Sequence, residues 1–112
     1  MHVLSQTDST NSALLTLAHA GAEHGTVICA DYQTAGRGRR GRSWFSRPGD
    51  SLCFSLLLRG RRLLSNDAHW PAWVSLASGT AVALGIADTI EVTPQLKWPN
   101  DVVTDQGKLA GI

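Results

Sequence analysis

QTAGRGRRGRSWFSR, Gln33 to Arg47, is the stretch that decides between fold classes. Within it Gly36-Arg37-Gly38-Arg39-Arg40-Gly41 has the spacing G-x-G-x-x-G, which in a doubly wound α/β domain opens a helix onto a dinucleotide pyrophosphate. That fingerprint needs a helix to begin on the glycines and an acidic residue roughly 20 positions further on. Here the loop runs into Ser43-Trp44-Phe45-Ser46-Arg47-Pro48-Gly49, a poor helix start, and residues 51 to 66 hold neither Asp nor Glu. A Walker-type phosphate loop fails as well, because no Gly-Lys-Ser/Thr follows. The stretch is therefore a basic loop within some other arrangement of helices and strands.

Five of the eight arginines lie between Arg37 and Arg47, interleaved with Gly36, Gly38 and Gly41. Glycines let backbone N–H groups approach an anion closely, and arginine forks bind phosphate oxygens in pairs. Crowded guanidinium groups repel one another, so an anionic ligand would order the loop. Trp44 and Phe45 can cover an apolar part of the same ligand. Taken alone, the loop is equally a solvated basic surface or a nucleic-acid patch.

Upstream, Val3 to Ser5 reads as a short strand. Asp8-Ser9-Thr10-Asn11 can cap a helix whose face carries Leu14, Leu17, Ala18 and Gly21, stopping at His24-Gly25. On spacing alone, capping outweighs a binding role for these four residues. Thr26 to Tyr32 is a strand by its β-branched and apolar content, and delivers the chain into the basic loop.

Downstream, Ser51 to Arg59 alternates Leu52, Phe54, Leu56 and Leu58 onto one face. Cys53 and Leu57 leave the other face apolar too, so a central strand is expected. Gly60 to Asp67 is a polar connection. Asn66 or Asp67 caps a helix opening near Trp70-Pro71, with Val74, Ala77, Ala81 and Leu84 as its stripe. Because that segment is apolar almost all round, it reads as buried against a sheet, with Trp70 and Trp73 as packing. Glu91 to Trp98 holds a strand bounded by Pro94 and Pro99. Val102-Val103 and Lys108 to Ile112 flank Thr104-Asp105-Gln106-Gly107 as a hairpin. Helices and strands mix without strict βαβ alternation, so the class is α+β, a mixed sheet packed by helices.

With 112 residues the chain is long enough for one domain with a modest core. Its formal net charge of +1 makes a concentrated rather than general affinity for anions, and favours a small anionic ligand over a long nucleic-acid track. No run looks long and apolar enough for a membrane span, and MHVLSQTDSTNS lacks the n- and h-regions of a secretory signal. Cys29 and Cys53 lack metal-ligand spacing and read as buried thiols in a reducing compartment, so a cytoplasmic location is expected.

A second patch, KWPNDVVTDQGKLAGI from Lys97 to Ile112, places Lys97, Asn100, Asp101 and Lys108 in one strand–turn–strand unit. Two ammonium groups can neutralise phosphate or a carboxylate, and Asp101 can hold Mg²⁺ or orient a lysine. Surface charge on a hairpin is the alternative. If both patches serve one anion, they should face each other.

The three blocks DSTN (Asp8 to Asn11), QTAGRGRRGRSWFS (Gln33 to Ser46), and KWPNDV with GKLAGI (Lys97 to Ile112) together resemble the biotin–protein ligases, in that family's order. The resemblance implies a catalytic domain of the biotin/lipoate ligase type, related to class II aminoacyl-tRNA synthetases. It implies activation of biotin by ATP and Mg²⁺ to biotinyl-5′-AMP, then transfer to a lysine of a biotin carboxyl carrier protein. Ser9, Thr10, Asn11 and Gln33 would line the ureido pocket. Arg37, Gly38 and Arg39 would belong to the loop that closes over biotin, with Arg39 foremost. Arg40, Arg42 and Trp44 would face the adenylate, Lys97, Asn100 and Asp101 would place ATP and its metal, and Lys108 would meet the biotin carboxylate and α-phosphate. Lys108 and Arg39 are thus the expected catalytic side chains.

The family's catalytic domain continues past KLAGI. The resemblance therefore implies a partial domain over residues 1–112, without a helix-turn-helix ahead of it or a C-terminal β domain after it. DNA and membranes are not expected partners, and a homodimer is left open. Competing readings are a lipoate–protein ligase, a fragment that binds biotin or adenylate without transferring it, and a nucleic-acid binder resting on the arginines alone.

Overall fold

The computed structural model describes residues 1–59 and 69–112. The polar connection Gly60 to Asp67 lies outside the described residues, and the cap expected at Asn66 or Asp67 falls instead on His69, directly before the helix that opens at Trp70. Tertiary contacts group the chain into two compact units, Met1–Arg61 and Arg62–Ile112.

In the first unit, β1 (His2–Leu4) and β2 (Val27–Ala30) run parallel, joined by α1 (Thr10–His19), and β3 (Cys53–Leu56) pairs antiparallel with β2. A helix is the usual crossover between parallel neighbours. Ile28 stands opposite Ser55, and Ala30 opposite Cys53. These four residues, all buried, form the sheet face beneath Leu14 of α1. Full burial of a side chain such as Ile28 or Leu14 stabilises by about 2 kcal/mol.

Two expectations change here. The helix ends five residues before His24-Gly25, because Gly21 already takes a left-handed φ of +96° beyond the C-cap at Ala20. The alternation in β3 is inverted: Phe54 and Leu56 are about half exposed and Leu52 more so, whereas Cys53 and Ser55 face α1. The inversion follows from hydrogen bonding, since Ser55 finds polar partners on α1 that an apolar side chain could not use. Nor is β3 central among the described strands; β2 is.

The second unit holds α2 (Trp70–Thr89) and an antiparallel sheet ordered β4 (Gln95–Lys97), β5 (Asp101–Thr104), β6 (Gly107–Gly111). Val102 on the middle strand is fully buried. The expected hairpin forms, with Asp105-Gln106 as its two-residue loop and Gly107 at a φ of +137°.

α2 begins with Pro71 in its first turn, as anticipated, but it is not a buried helix: Gly79 is its single buried residue. Ala77, Ala81 and Leu84 are exposed. The covered stripe is instead Val74, Ser75, Ser78, Gly79, Val82, Ala83 and Ile86. On a helix apolar all round, hydrophobicity gives no direction. Small side chains set it, because they admit close approach. A Cβ on Gly79 would already lie 3.3 Å from Leu96 Cδ2. Trp73, read as packing, is 62% exposed. By length and composition α2 could also cross a membrane, contrary to the expectation that no segment would.

Candidate active site

The residues after β1 and after β2 travel side by side. Thr7 N–H donates to Tyr32 O, Thr34 N–H to Thr7 O and Ala35 N–H to Asp8 O, at 2.8–3.1 Å. This brings the start of α1 against Gln33. Ser9 is the N-cap residue but its side chain makes no capping bond. Its backbone N–H donates to Asp8 Oδ1 at 2.6 Å. The helix's first amide is met by another segment: Gln33 Oε1 accepts from Thr10 N–H at 2.8 Å and from Thr10 Oγ1–H at 3.1 Å. Capping by the Asp8–Asn11 block alone is thus replaced by a shared bond with Gln33, which satisfies an otherwise orphan helical donor.

Beyond Gln33 the basic loop folds back on itself. Trp44 N–H donates to Gly36 O at 2.8 Å, Gly38 N–H to Arg42 O at 2.7 Å, and Arg37 bridges Ser43. Arg39–Gly41 forms a single 3₁₀ turn at the tip, with Arg40 left-handed at φ 57°, ψ 36° and Gly41 at φ 73°. A non-glycine residue there costs about 1 kcal/mol, so Gly41 is the cheaper of the two positions. No helix opens on the glycines, which agrees with rejecting a dinucleotide fold. The loop and Gln33 surround a cleft of about 510 Å³, with Arg37 and Arg42 on its wall and Trp44 and Phe45 as its aromatic lining. Arg39 and Arg40 sit on the turn and are not among the lining residues.

The second patch lies in the other unit. Asp101 Oδ1 accepts from Lys108 Nζ at 2.7 Å and from Asn100 Nδ2 at 3.0 Å. A β-bulge makes this pair. Val102 faces Ala110 but Val103 faces Lys108, so Leu109 is the extra residue. Had the register continued, Val103 would face Leu109 and Lys108 would leave Asp101's side of the sheet. The Lys108 and Asp101 side chains are 41% and 27% exposed, so the pair orients Lys108 more than it stabilises the fold. Lys97 stands opposite Asp101 in β4 and is exposed.

The family resemblance implies Mg²⁺, and the donor set does not make a resident site for it. Asp101 Oδ1 already accepts from an ammonium and an amide, and the described residues contain no group of three or more His, Cys, Asp or Glu.

Ser9, Thr10 and Gln33 are therefore gathered at one helix end, with Asn11 beside them. Gln33, Arg37, Gly38, Arg42 and Trp44 border the cleft, while Asn100, Asp101 and Lys108 form a cluster of their own. The residue the sequence reading missed is Ser55, buried on β3 between Thr10 and Asn11. Its one signal was a hydroxyl in an otherwise apolar strand, LCFSLLL.

Residues 3–112 match the model of the biotin/lipoate A/B protein ligase family. The chain belongs to that family. It is 44% identical to a biotin–[acetyl-CoA-carboxylase] ligase of Mycobacterium tuberculosis, a match that takes in all of this chain and 42% of that protein. It is 37% identical to the bifunctional ligase/repressor BirA of Bacillus subtilis, over 93% of this chain and 31% of that one. Among solved structures, a biotin protein ligase of Aquifex aeolicus in complex with biotin and ATP superposes with a TM-score of 0.79 at 35% identity. That match covers 97% of this chain and 43% of the Aquifex chain. The chain thus spans less than half the length of these three ligases.

Proposed function

We propose that the chain supplies biotin- and ATP-handling residues of a biotin–protein ligase of the biotin–[acetyl-CoA-carboxylase] type. A biotin carboxylate oxygen attacks the α-phosphorus of ATP, pyrophosphate leaves, and biotinyl-5′-AMP forms. The amine of a carrier-protein lysine then attacks the biotinyl carbonyl and AMP departs. The observation that carries this reading is Gln33, fixed by Thr10 on the wall of a cleft that also presents Arg37 and Arg42.

In this reading Ser9, Thr10, Asn11 and Gln33 recognise the ureido ring, and Trp44 covers an apolar part of the ligand. Attack of a carboxylate on a phosphate brings two anions together. Lys108, oriented by Asp101 and Asn100, offsets that repulsion and stabilises charge at phosphorus. Lys97 and the loop arginines Arg37, Arg40 and Arg42 hold the phosphates, and Gly38 lets the loop approach the ligand. Mg²⁺ arriving with ATP would neutralise phosphate charge. Arg39 holds the loop over the finished adenylate and keeps water from the anhydride. The carrier partner and a cytoplasmic location belong to the same proposal, and a nucleic-acid role is not part of it.

Separating quenched reactions into bound and free fractions tests the reading. The wild-type chain should form biotinyl-5′-AMP and retain it, while Arg39→Ala should release about tenfold more into solution. If Arg39→Ala loses no adenylate, the shielding role of Arg39 is wrong. If the wild type forms none, the ligase reading of this chain is wrong.

A further inference from the structure

We propose that Ser55 is a positioning residue which, through Thr10, fixes the orientation of the Gln33 amide and so makes the pocket select a ring bearing a carbonyl over one that does not. The step about ligand choice rests on the biotin reading above; the step about Gln33 does not.

The geometry sets the direction of each bond. Thr10 N–H can only donate, so the Gln33 atom 2.8 Å away is the oxygen. Thr10 Oγ1 lies 3.1 Å from that same oxygen and spends its proton there, since a carbonyl can only accept. Thr10 Oγ1 must then accept at its other contact, and Ser55 Oγ stands 2.9 Å away with a proton to give. Ser55 Oγ also lies 2.8 Å from Asn11 Oδ1, which can only accept, so the one Ser55 proton is shared between Thr10 Oγ1 and Asn11 Oδ1 as a three-centre bond to two neighbouring residues of α1. Ser55 is 8% and Thr10 4% exposed, so water does not readily replace either partner.

Both bonds at Gln33 fall on Oε1, and Nε2 carries none among the described residues. Nε2 lies on the side of Gly36, 3.0 Å from where a Cβ on that residue would stand, and Gly36 borders the cleft with Gln33. The relay therefore presents two N–H donors and withholds the amide oxygen. A ureido oxygen satisfies such a donor. A dithiolane ring leaves it unpaired, and sites built to hydrogen-bond a substrate reject analogues that lack the partner.

The test uses the full chain, Ser55→Ala, Ser55→Thr and Thr10→Val. Calorimetric titration with biotin and with lipoate is paired with NMR of the Gln33 side-chain amide in the absence of ligand. In the wild type the Gln33 NH₂ should show a single set of resonances, with cross-relaxation to Gly36. Ser55→Ala and Thr10→Val should each broaden or shift those resonances and weaken biotin binding about tenfold, narrowing the biotin-to-lipoate ratio. Ser55→Thr, which keeps the hydroxyl, should restore both. The double variant should lose little more than either single one, because the two residues form one chain. Gln33 resonances unchanged in both Ser55→Ala and Thr10→Val would overturn the relay whatever the ligand. Altered resonances with an unchanged biotin-to-lipoate ratio would overturn its role in selection. A wild type that binds no biotin would overturn selection too, and would count against the biotin reading itself, while the ligand-free spectra still decide the relay.

Discussion

Lys108→Ala should reduce biotin-dependent pyrophosphate release by about 10²–10³-fold while leaving the fold in place. Lys108 is held by Asp101 at 2.7 Å on the face of the sheet to which the bulge at Val102/Val103 brings it. Its ammonium is therefore positioned before ligand arrives, which is the condition under which a single charge contributes most to a transition state. The same pair contributes under about 1 kcal/mol to stability, because both side chains are partly exposed and screened. Activity and melting temperature should consequently separate. Initial rates of pyrophosphate release and a thermal melt on the same preparation decide it. A variant that keeps its rate would remove Lys108 from the chemistry. One that loses its fold would show the ion pair to be structural.

The second large effect is expected at Gly36. A Cβ there would stand 2.5 Å from Trp44 O, 3.0 Å from Gln33 Nε2 and 3.3 Å from Trp44 Cβ. The first atom is backbone and is tied in place, since the Trp44 N–H donates to Gly36 O. Gly36→Ala should therefore pry open the closing pair of the loop and push on Gln33 together. A destabilisation of about 1–3 kcal/mol is expected for such overpacking, with biotin affinity falling about 10²-fold. Denaturant unfolding and calorimetric titration measure the two quantities. Unchanged binding would mean that the cleft bordered by Gly36 is not where biotin sits. The glycine is required here by contact and not by a positive φ, which distinguishes it from Gly41 at the tip.

Much of this was legible in the residues. The α+β class, the hairpin around Asp105-Gln106 and the failure of the glycine loop to open a helix all follow from local chemistry. That chemistry is turn residues, β-branched runs, and the absence of an acidic residue between positions 51 and 66. The three blocks DSTN, QTAGRGRRGRSWFS and KWPNDV…GKLAGI carried the family. What could not be read is what depends on partners distant in sequence. The alternation of Leu52, Phe54, Leu56 and Leu58 pointed to the wrong face of β3, because the deciding contact is Ser55 with Thr10 and Asn11, over 40 residues earlier. The stripe of α2 was misplaced because an all-apolar helix gives no period to read, and Gly79 against Leu96 sets the contact instead. The N-cap of α1 is Ser9, inside the block that the spacing points to, but the side-chain acceptor for the first helical amide is Gln33, from across the unit. The bulge that turns Lys108 toward Asp101 left no mark in sequence at all.

The most direct test of the central claim is pyrophosphate release from ATP and Mg²⁺ by this chain with biotin, with lipoate, and with neither. Release that depends on biotin and is absent with lipoate is the expected result, and would establish that these residues activate biotin. Release with lipoate in place of biotin, or no release with either, would contradict it.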